Sequence, residues 1–202
     1  MTLAAKERLA FDALLLAIAS AFSAEGRPGG DAAAVRLRAA SKRPFYARSA
    51  RDHPGALLRQ VCTLDNAIDC ARLVLGCAAS LDWEHWQGTG LADDVSNSLY
   101  TTELLGPDGH VRDNEVRVGL LVSEAGTDYP PSRHAAEETY FVIAGKAEWV
   151  LEGAPYGQAP PGSFVHHPAG AVHGRRTLSE PFLGAWRWSG NLDLASFGVA
   201  RR

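Results

Sequence analysis

Apolar residues recur at two different periods along this chain, and the change of period divides it. Through the first 80 residues or so the spacing is helical. Phe11, Leu14, Leu15, Ile18 and Phe22 fall three or four positions apart, which predicts an amphipathic helix over Thr2–Ser23. Gly26–Gly30 predicts its break, and a second helix is expected over Asp31–Ala40. Pro54 is tolerated in a first helical turn and opens a third helix through Leu57, Leu58 and Val61. A fourth is expected over Asp65–Ala79, with Ile68, Ala71 and Leu75 on its apolar side. Beyond Trp86 the pattern becomes that of short strands. Leu99–Leu105 precedes the turn signal Gly106-Pro107-Asp108-Gly109. Val116, Val118, Leu120 and Val122 alternate along one face of Glu115–Ser123. Tyr140–Ile143 and Ala147–Leu151 flank a turn at Gly145, and Ser163–His167 and Phe182–Trp188 complete the strand candidates.

Many short strands between Gly/Pro turns predict an antiparallel sandwich or barrel. The helical part is too thin for a core of its own. Residues 1–85 are therefore expected to form a helical layer of the same domain as a barrel over residues 86–202. At 202 residues, 46% hydrophobic and 21% charged, the chain can fill one such core. A formal charge of -3 argues against a nucleic-acid partner. Glu7 and Asp12 interrupt the N-terminal apolar run, which argues against a signal peptide, and no stretch suits a membrane span. Cys62, Cys70 and Cys77 match no zinc spacing and read as buried thiols in a reducing, cytoplasmic setting.

Two segments concentrate the chemistry. In the first, Gly126-Thr-Asp-Tyr-Pro-Pro-Ser-Arg-His134-Ala-Ala-Glu-Glu138-Thr-Tyr140, the residues His134, Glu138 and Tyr140 have equal parity. They share a face if the strand keeps its direction. In the second, Gly162-Ser-Phe-Val-His-His-Pro168-Ala-Gly170-Ala-Val-His173, Pro168 and Gly170 position the chain before His173. Two imidazoles and a carboxylate form a facial ligand set that suits zinc, iron, manganese, nickel or cobalt and leaves positions for water or substrate.

These segments resemble the two cupin motifs, Gly-x5-His-x-His-x3-Glu-x6-Gly and Gly-x5-Pro-x-Gly-x2-His-x3-Asn. Gly126, His134, Glu138 and Gly145 match the first, and Gly162, Pro168, Gly170 and His173 the second. The resemblance implies a mainly β double-stranded β-helix, or jelly-roll barrel, behind an N-terminal helical layer. Ser132 stands where the first motif has its first histidine, and Thr177 where the second has asparagine. Closer still, His-x2-Glu-Glu-x-Tyr followed by Gly-x-Phe-Val-His-His-Pro-x-Gly-x2-His resembles the cupin-type dimethylsulfoniopropionate lyases and their relatives. So do the helical layer and a Glu103–Gly109 hairpin. The resemblance implies a divalent transition metal on His134, Glu138 and His173. It makes Tyr140 a ligand or catalytic base and Tyr129 a pocket aromatic and second catalytic candidate, with cleavage to dimethyl sulfide and acrylate by β-elimination.

Trp86, Trp149, Trp186 and Trp188 are candidate walls for a cationic sulfonium, though each alone reads as packing. His166 and His167 should face opposite sides of their strand, and Glu137 should face solvent. Arg175 and Arg176 could attract an anionic substrate but read more simply as a solvated barrel rim, and His53, His85 and His110 as surface or turn residues. Two alternatives stand beside the lyase: a cupin isomerase, dioxygenase or lyase acting on another small carboxylate, and a non-enzymatic small-molecule-binding cupin. A homodimer paired through barrel edges is compatible with any of the three.

Overall fold

The structure, a computed structural model, describes residues 5–46, 50–88 and 90–200. Four helices come first: α1 (Ala5–Ser23), α2 (Pro28–Ala40), α3 (Gly55–Cys62) and α4 (Cys70–Cys77). The expected start of α1 at Thr2 lies outside the described residues. Its spaced positions Phe11, Leu14, Leu15, Ile18 and Phe22 are all fully buried. α2 begins three residues before its expected start, because Pro28 occupies the first turn, where its fixed φ and missing N–H cost nothing. Asp31 near its start and Arg38 near its end complement the helix dipole. The fourth helix is half the expected length. Asp65–Asp69 forms turns rather than helix, and Ala78–Ser80 tightens into a 3-10 turn.

The rest is β structure with one short α-helix, α5 (Asp93–Asn97), and a 3-10 turn at Leu194–Ser196. The strands are β1 (Glu84–His85), β2 (Leu99–Gly106), β3 (Val111–Arg112), β4 (Val116–Ser123), β5 (Asp128–Arg133) and β6 (Ala136–Gly145). They continue with β7 (Glu148–Leu151), β8 (Gly157–Gln158), β9 (Phe164–His167), β10 (His173–Arg176), β11 (Phe182–Gly190) and β12 (Gly198–Val199). One sheet runs β1-β2-β4-β11-β6-β9, with β3 beside β2, and the other runs β12-β5-β10-β7-β8. Successive strands β5/β6 and β6/β7 fall in different sheets, which is jelly-roll winding. Gly145 therefore turns the chain from one sheet to the other rather than closing a hairpin. Its φ is +79°, and a Cβ there would lie 1.8 Å from the Pro181 carbonyl oxygen, so only glycine fits. The expected Glu103–Gly109 hairpin is also replaced. After the Gly106 turn, β3 runs parallel to β2, and the antiparallel partner of β2 is β4.

The larger sheet has two covered faces, which explains why every residue of β4 is buried. Val116, Val118, Leu120 and Val122 pack with α1, α2 and α4 in one large cluster. Leu121, on the opposite face, joins Tyr140, Val142, Trp149 and Phe182 in a second cluster between the sheets. The helices thus seal the outside of the sheet whose inside carries the chemistry. Cys62, Cys70 and Cys77 are free and buried among them, and burial pushes their thiols up to about 11, 12 and 11. His110 departs from its expected surface role. It is fully buried, stacks on Phe45 at 4.7 Å, and its Nε2 lies 2.7 Å from Asp82 Oδ1.

Candidate active site

The pocket opens between the two sheets, and both sequence segments reach it. His134 falls in the gap between β5 and β6, where the chain passes from one sheet to the other. Gly170 N donates to the His134 carbonyl at 2.9 Å, tying the second segment to the first. Glu138 lies in β6, opposite Trp188 of β11 and His167 of β9. His173 opens β10, opposite Ser132 and Leu151.

The three expected ligands converge, each buried, with ligand atoms within 4.8 Å of one another. Glu138 Oε2 is 3.4 Å from His134 Nε2 and 3.3 Å from His173 Nε2. His134 Nδ1 is 3.1 Å from the Ala136 carbonyl oxygen, and His173 Nδ1 is 2.9 Å from that of Ala171. A carbonyl only accepts, so each Nδ1 carries its proton and donates. In a neutral ring this turns the Nε2 lone pair toward Glu138. Lone pairs facing a carboxylate at this distance repel unless a proton or a cation lies between them. His134 Nε2 is buried with no hydrogen-bond partner. The donor set therefore fits a divalent transition ion, with both imidazoles oriented through their second nitrogen.

Two neighbours steady the carboxylate. Trp188 Nε1 donates to Glu138 Oε1 at 2.8 Å, and His167 Nδ1 lies 3.4 Å from Oε2. Burial alone would raise the Glu138 carboxyl, but hydrogen bonds from the three surrounding imidazoles, made when those rings carry a proton toward it, hold it well below the ordinary range. His167 is itself lowered to about 4, mainly by burial, and stacks on His173 at 4.0 Å. His166 points to the opposite face, as the strand alternation predicted. There Glu25, Glu137 and His166 form a second acidic and imidazole group, filled by Arg187. Glu137 is thus an ion-pair partner with a partly exposed side chain.

All four expected tryptophans line the pocket, together with Tyr129 and Tyr140. Trp86 Nε1 donates to the Tyr129 hydroxyl at 3.2 Å, and removal from water pushes that hydroxyl up to about 12. Burial and then the Glu138 charge raise Tyr140 well above the usual phenol range. Ser132, standing in for an imidazole, is fully buried and lies beside the Tyr129 hydroxyl. Thr177 lies away from the ligands, where it latches the Thr127 amide and the Glu124 carbonyl.

The expected solvated rim is overturned at Arg175. Only 4% exposed, it points into the pocket among Tyr129, Tyr140, Trp149 and Phe182. The signal was present in the sequence: in His173-Gly-Arg175 the arginine shares the parity of the ligand histidine. Arg176, of opposite parity, does face outward and pairs with Glu148 at 2.6 Å.

The sequence profile of the dimethylsulfoniopropionate lyase family matches residues 51–184, about two thirds of the chain. This chain belongs to that family. Dimethylsulfoniopropionate lyase DddQ of Ruegeria pomeroyi is 36% identical over 110 residues, 54% of this chain and 55% of that protein. The chain thus spans about half the length of this curated relative in sequence. An uncharacterized protein, SCO3923, of Streptomyces coelicolor is 37% identical over 70 residues, 35% of this chain and 66% of that one. In structure the likeness is wider. The crystal structure of DddQ from Ruegeria pomeroyi superposes with a TM-score of 0.74 at 26% identity, covering 95% of this chain and 96% of that one. A chain from the crystal structures of the lyases RdDddP and RnDddQII gives the same TM-score at 25% identity and covers 96% of this chain and all of its own. The lyase family likeness therefore includes the helical layer, and the barrel is the cupin jelly roll that the motifs implied.

Proposed function

We propose that this chain is a metal-dependent carbon-sulfur lyase that cleaves dimethylsulfoniopropionate to dimethyl sulfide and acrylate. The observation that carries the reading is the buried group of His134, Glu138 and His173, both imidazoles oriented by backbone carbonyls, facing an aromatic pocket in a chain of this family. These three residues hold a zinc, iron, manganese, nickel or cobalt ion. When bound, the ion supplies charge stabilisation as the substrate develops enolate-like character. The sulfonium end takes the tryptophan wall, where ring faces attract a cation.

A phenolate then removes the proton from the carbon beside the carboxylate. That electron pair forms the double bond, and the carbon-sulfur bond breaks with its pair leaving on dimethyl sulfide. The proton acceptor first expected was Tyr140. Both hydroxyls have a donor, Trp86 for Tyr129 and Arg175 for Tyr140, but burial and the adjoining Glu138 charge oppose the Tyr140 phenolate most, which favours Tyr129 instead. Tyr140 shapes the floor beside Glu138. With its hydroxyl raised to about 12, Tyr129 rests as a phenol at neutral pH, so its phenolate fraction grows as pH rises toward that value.

The test is turnover of the metal-loaded protein, with both products measured across pH. Tyr129→Phe is expected to lower kcat by about a hundredfold or more and to flatten the alkaline rise, while Tyr140→Phe loses less and keeps the slope. The reverse order would return the role to Tyr140. No acrylate at any pH would sink the lyase reading.

Ser132, buried beside Tyr129 where an imidazole is expected, favours a second reading, a lyase-like cupin acting on another small carboxylate. Oxygen uptake without acrylate release would select it. We place the protein in the reducing cytoplasm on its three free thiols, with layer and barrel folding as one domain. The expected homodimer is read by its mass in solution.

A further inference from the structure

We propose that Arg175 is the carboxylate anchor of the pocket, which rests on that pocket being the lyase site. A guanidinium is a permanent cation with five donors in a planar fork, and burial without a counter-ion is unfavourable for it. Arg175 is buried in this way. Its Nη2 has no hydrogen-bond partner, and no carboxylate of the described residues comes within ion-pair distance. The nearby acids are otherwise engaged: Glu148 pairs with Arg176, and Glu138 is held by Trp188 and the imidazoles.

What surrounds the guanidinium is aromatic. Its carbon lies 5.5 Å from the Tyr129 ring centroid, 5.6 Å from Tyr140, 5.5 Å from Trp149 and 5.1 Å from Phe182. Rings tolerate a cation; the Tyr140 hydroxyl is within hydrogen-bonding reach of the guanidinium, but Nη2 is left unsatisfied. Strand pairing holds it firmly, since Arg175 lies opposite Tyr129 on one side of β10 and opposite Trp149 on the other. The missing partner is therefore a planar anion entering the pocket, and a carboxylate fits the fork.

This placement also polarises the pocket. Arg175 covers Trp149, so that ring is taken and does not serve a cationic sulfonium. Trp86, Trp186 and Trp188 are the remaining tryptophans of the lining. A zwitterion with its anionic end at Arg175 and its cationic end toward these rings binds in one direction only. Arg175 thereby fixes which carbon faces the phenols. It also discriminates against sulfonium compounds lacking the acid group, because a neutral end leaves the guanidinium unpaired.

Two measurements test the anchor separately from the reaction. Propionate binding, followed by calorimetry on the protein as purified, needs no turnover. Arg175→Gln is expected to weaken it by about thirtyfold or more, the usual scale for removing one member of a buried charged pair. Arg175→Lys keeps the charge without the fork and should fall between, which still reads the effect if the glutamine variant folds poorly. Arg176→Gln, on the outer face, should leave binding unchanged. In turnover, Arg175→Gln should raise KM for dimethylsulfoniopropionate far more than it lowers kcat. It should also erase the preference for the acid over its neutral amide, 3-dimethylsulfoniopropionamide. Propionate affinity and acid preference equal to wild type in folded Arg175→Gln and Arg175→Lys would overturn the anchor while leaving a lyase intact. Arg175-dependent propionate binding without acrylate production would overturn the lyase and leave the anchor standing.

Discussion

Two clusters of the same residue types sit back to back on one sheet. On the pocket face, Glu138 of β6, His167 of β9 and Trp188 of β11 meet His134 and His173. On the helix face, their immediate neighbours Glu137, His166 and Arg187 meet Glu25 from the turn after α1. Each cluster brings carboxylate and imidazole within metal-binding distance. The difference is the residue from β11. Arg187 donates to Glu25 at 2.5 and 2.7 Å and to Glu137 at 2.8 Å, so the helix-face cluster carries its own cation. Burial opposes the Arg187 charge, but hydrogen bonds to the two carboxylates more than offset it and hold the group charged. The packing is tight: a Cβ on Gly29 of α2 would fall 2.4 Å from Arg187 Nη1. Trp188 supplies one neutral donor to Glu138 and no charge. The acids and imidazoles alone do not make a metal site; what matters is whether the fold already supplies the cation.

The comparison can be broken from the pocket side first. Glu138→Ala is expected to abolish metal retention, measured by elemental analysis, and to lower turnover at least about a thousandfold. The fold should persist, because both imidazoles keep their hydrogen bonds to backbone carbonyls. Retained metal would show that the ion lies elsewhere. From the helix side the loss falls on stability instead. Arg187→Met strands Glu25 and Glu137, and denaturant unfolding should show a cost of about 3–5 kcal/mol, with metal content unchanged. The smallest effect belongs to Glu137→Gln. That side chain is 35% exposed, and solvent screening limits its pairing with Arg187 to about 0–1 kcal/mol. A loss as large as that of Arg187→Met would mean that Glu137, rather than Glu25, is the principal partner.

The helical spacing of α1, the alternation of β4 and the two motif segments were all legible in the sequence, because each is a local pattern with one dominant period. His134, Glu138 and His173 were found the same way and do converge. What was not legible depended on pairing between distant segments. Gly106 and Gly145 signalled turns correctly, but nothing local says that one leads into a parallel strand and the other into the opposite sheet. His110 looks like a turn residue until Phe45 and Asp82 are brought to it. Arg187 could not be recognised as the filler of a cluster, since Glu25 lies 162 positions away. Arg175 is a different case. Its parity with His173 is readable in the sequence and points inward, against the solvated rim that is the simpler reading of two adjacent arginines.

Alternation also makes this sheet sensitive to its phase. β11 is bonded on both edges, to β4 and to β6, and its pairing with β6 carries a one-residue bulge between Leu183 and Gly184. Around that bulge Ile143 and Ala144 both face the helices, whereas Val142 faces the pocket. Losing one residue between the bulge and Trp188 would move each later side chain to the other face. Arg187 and Trp188 would trade faces, placing a guanidinium against Glu138 and its histidines and an indole against Glu25. Reading frame within a strand is therefore a functional coordinate of this protein, and a single deletion there would exchange the identities of its two charged centres.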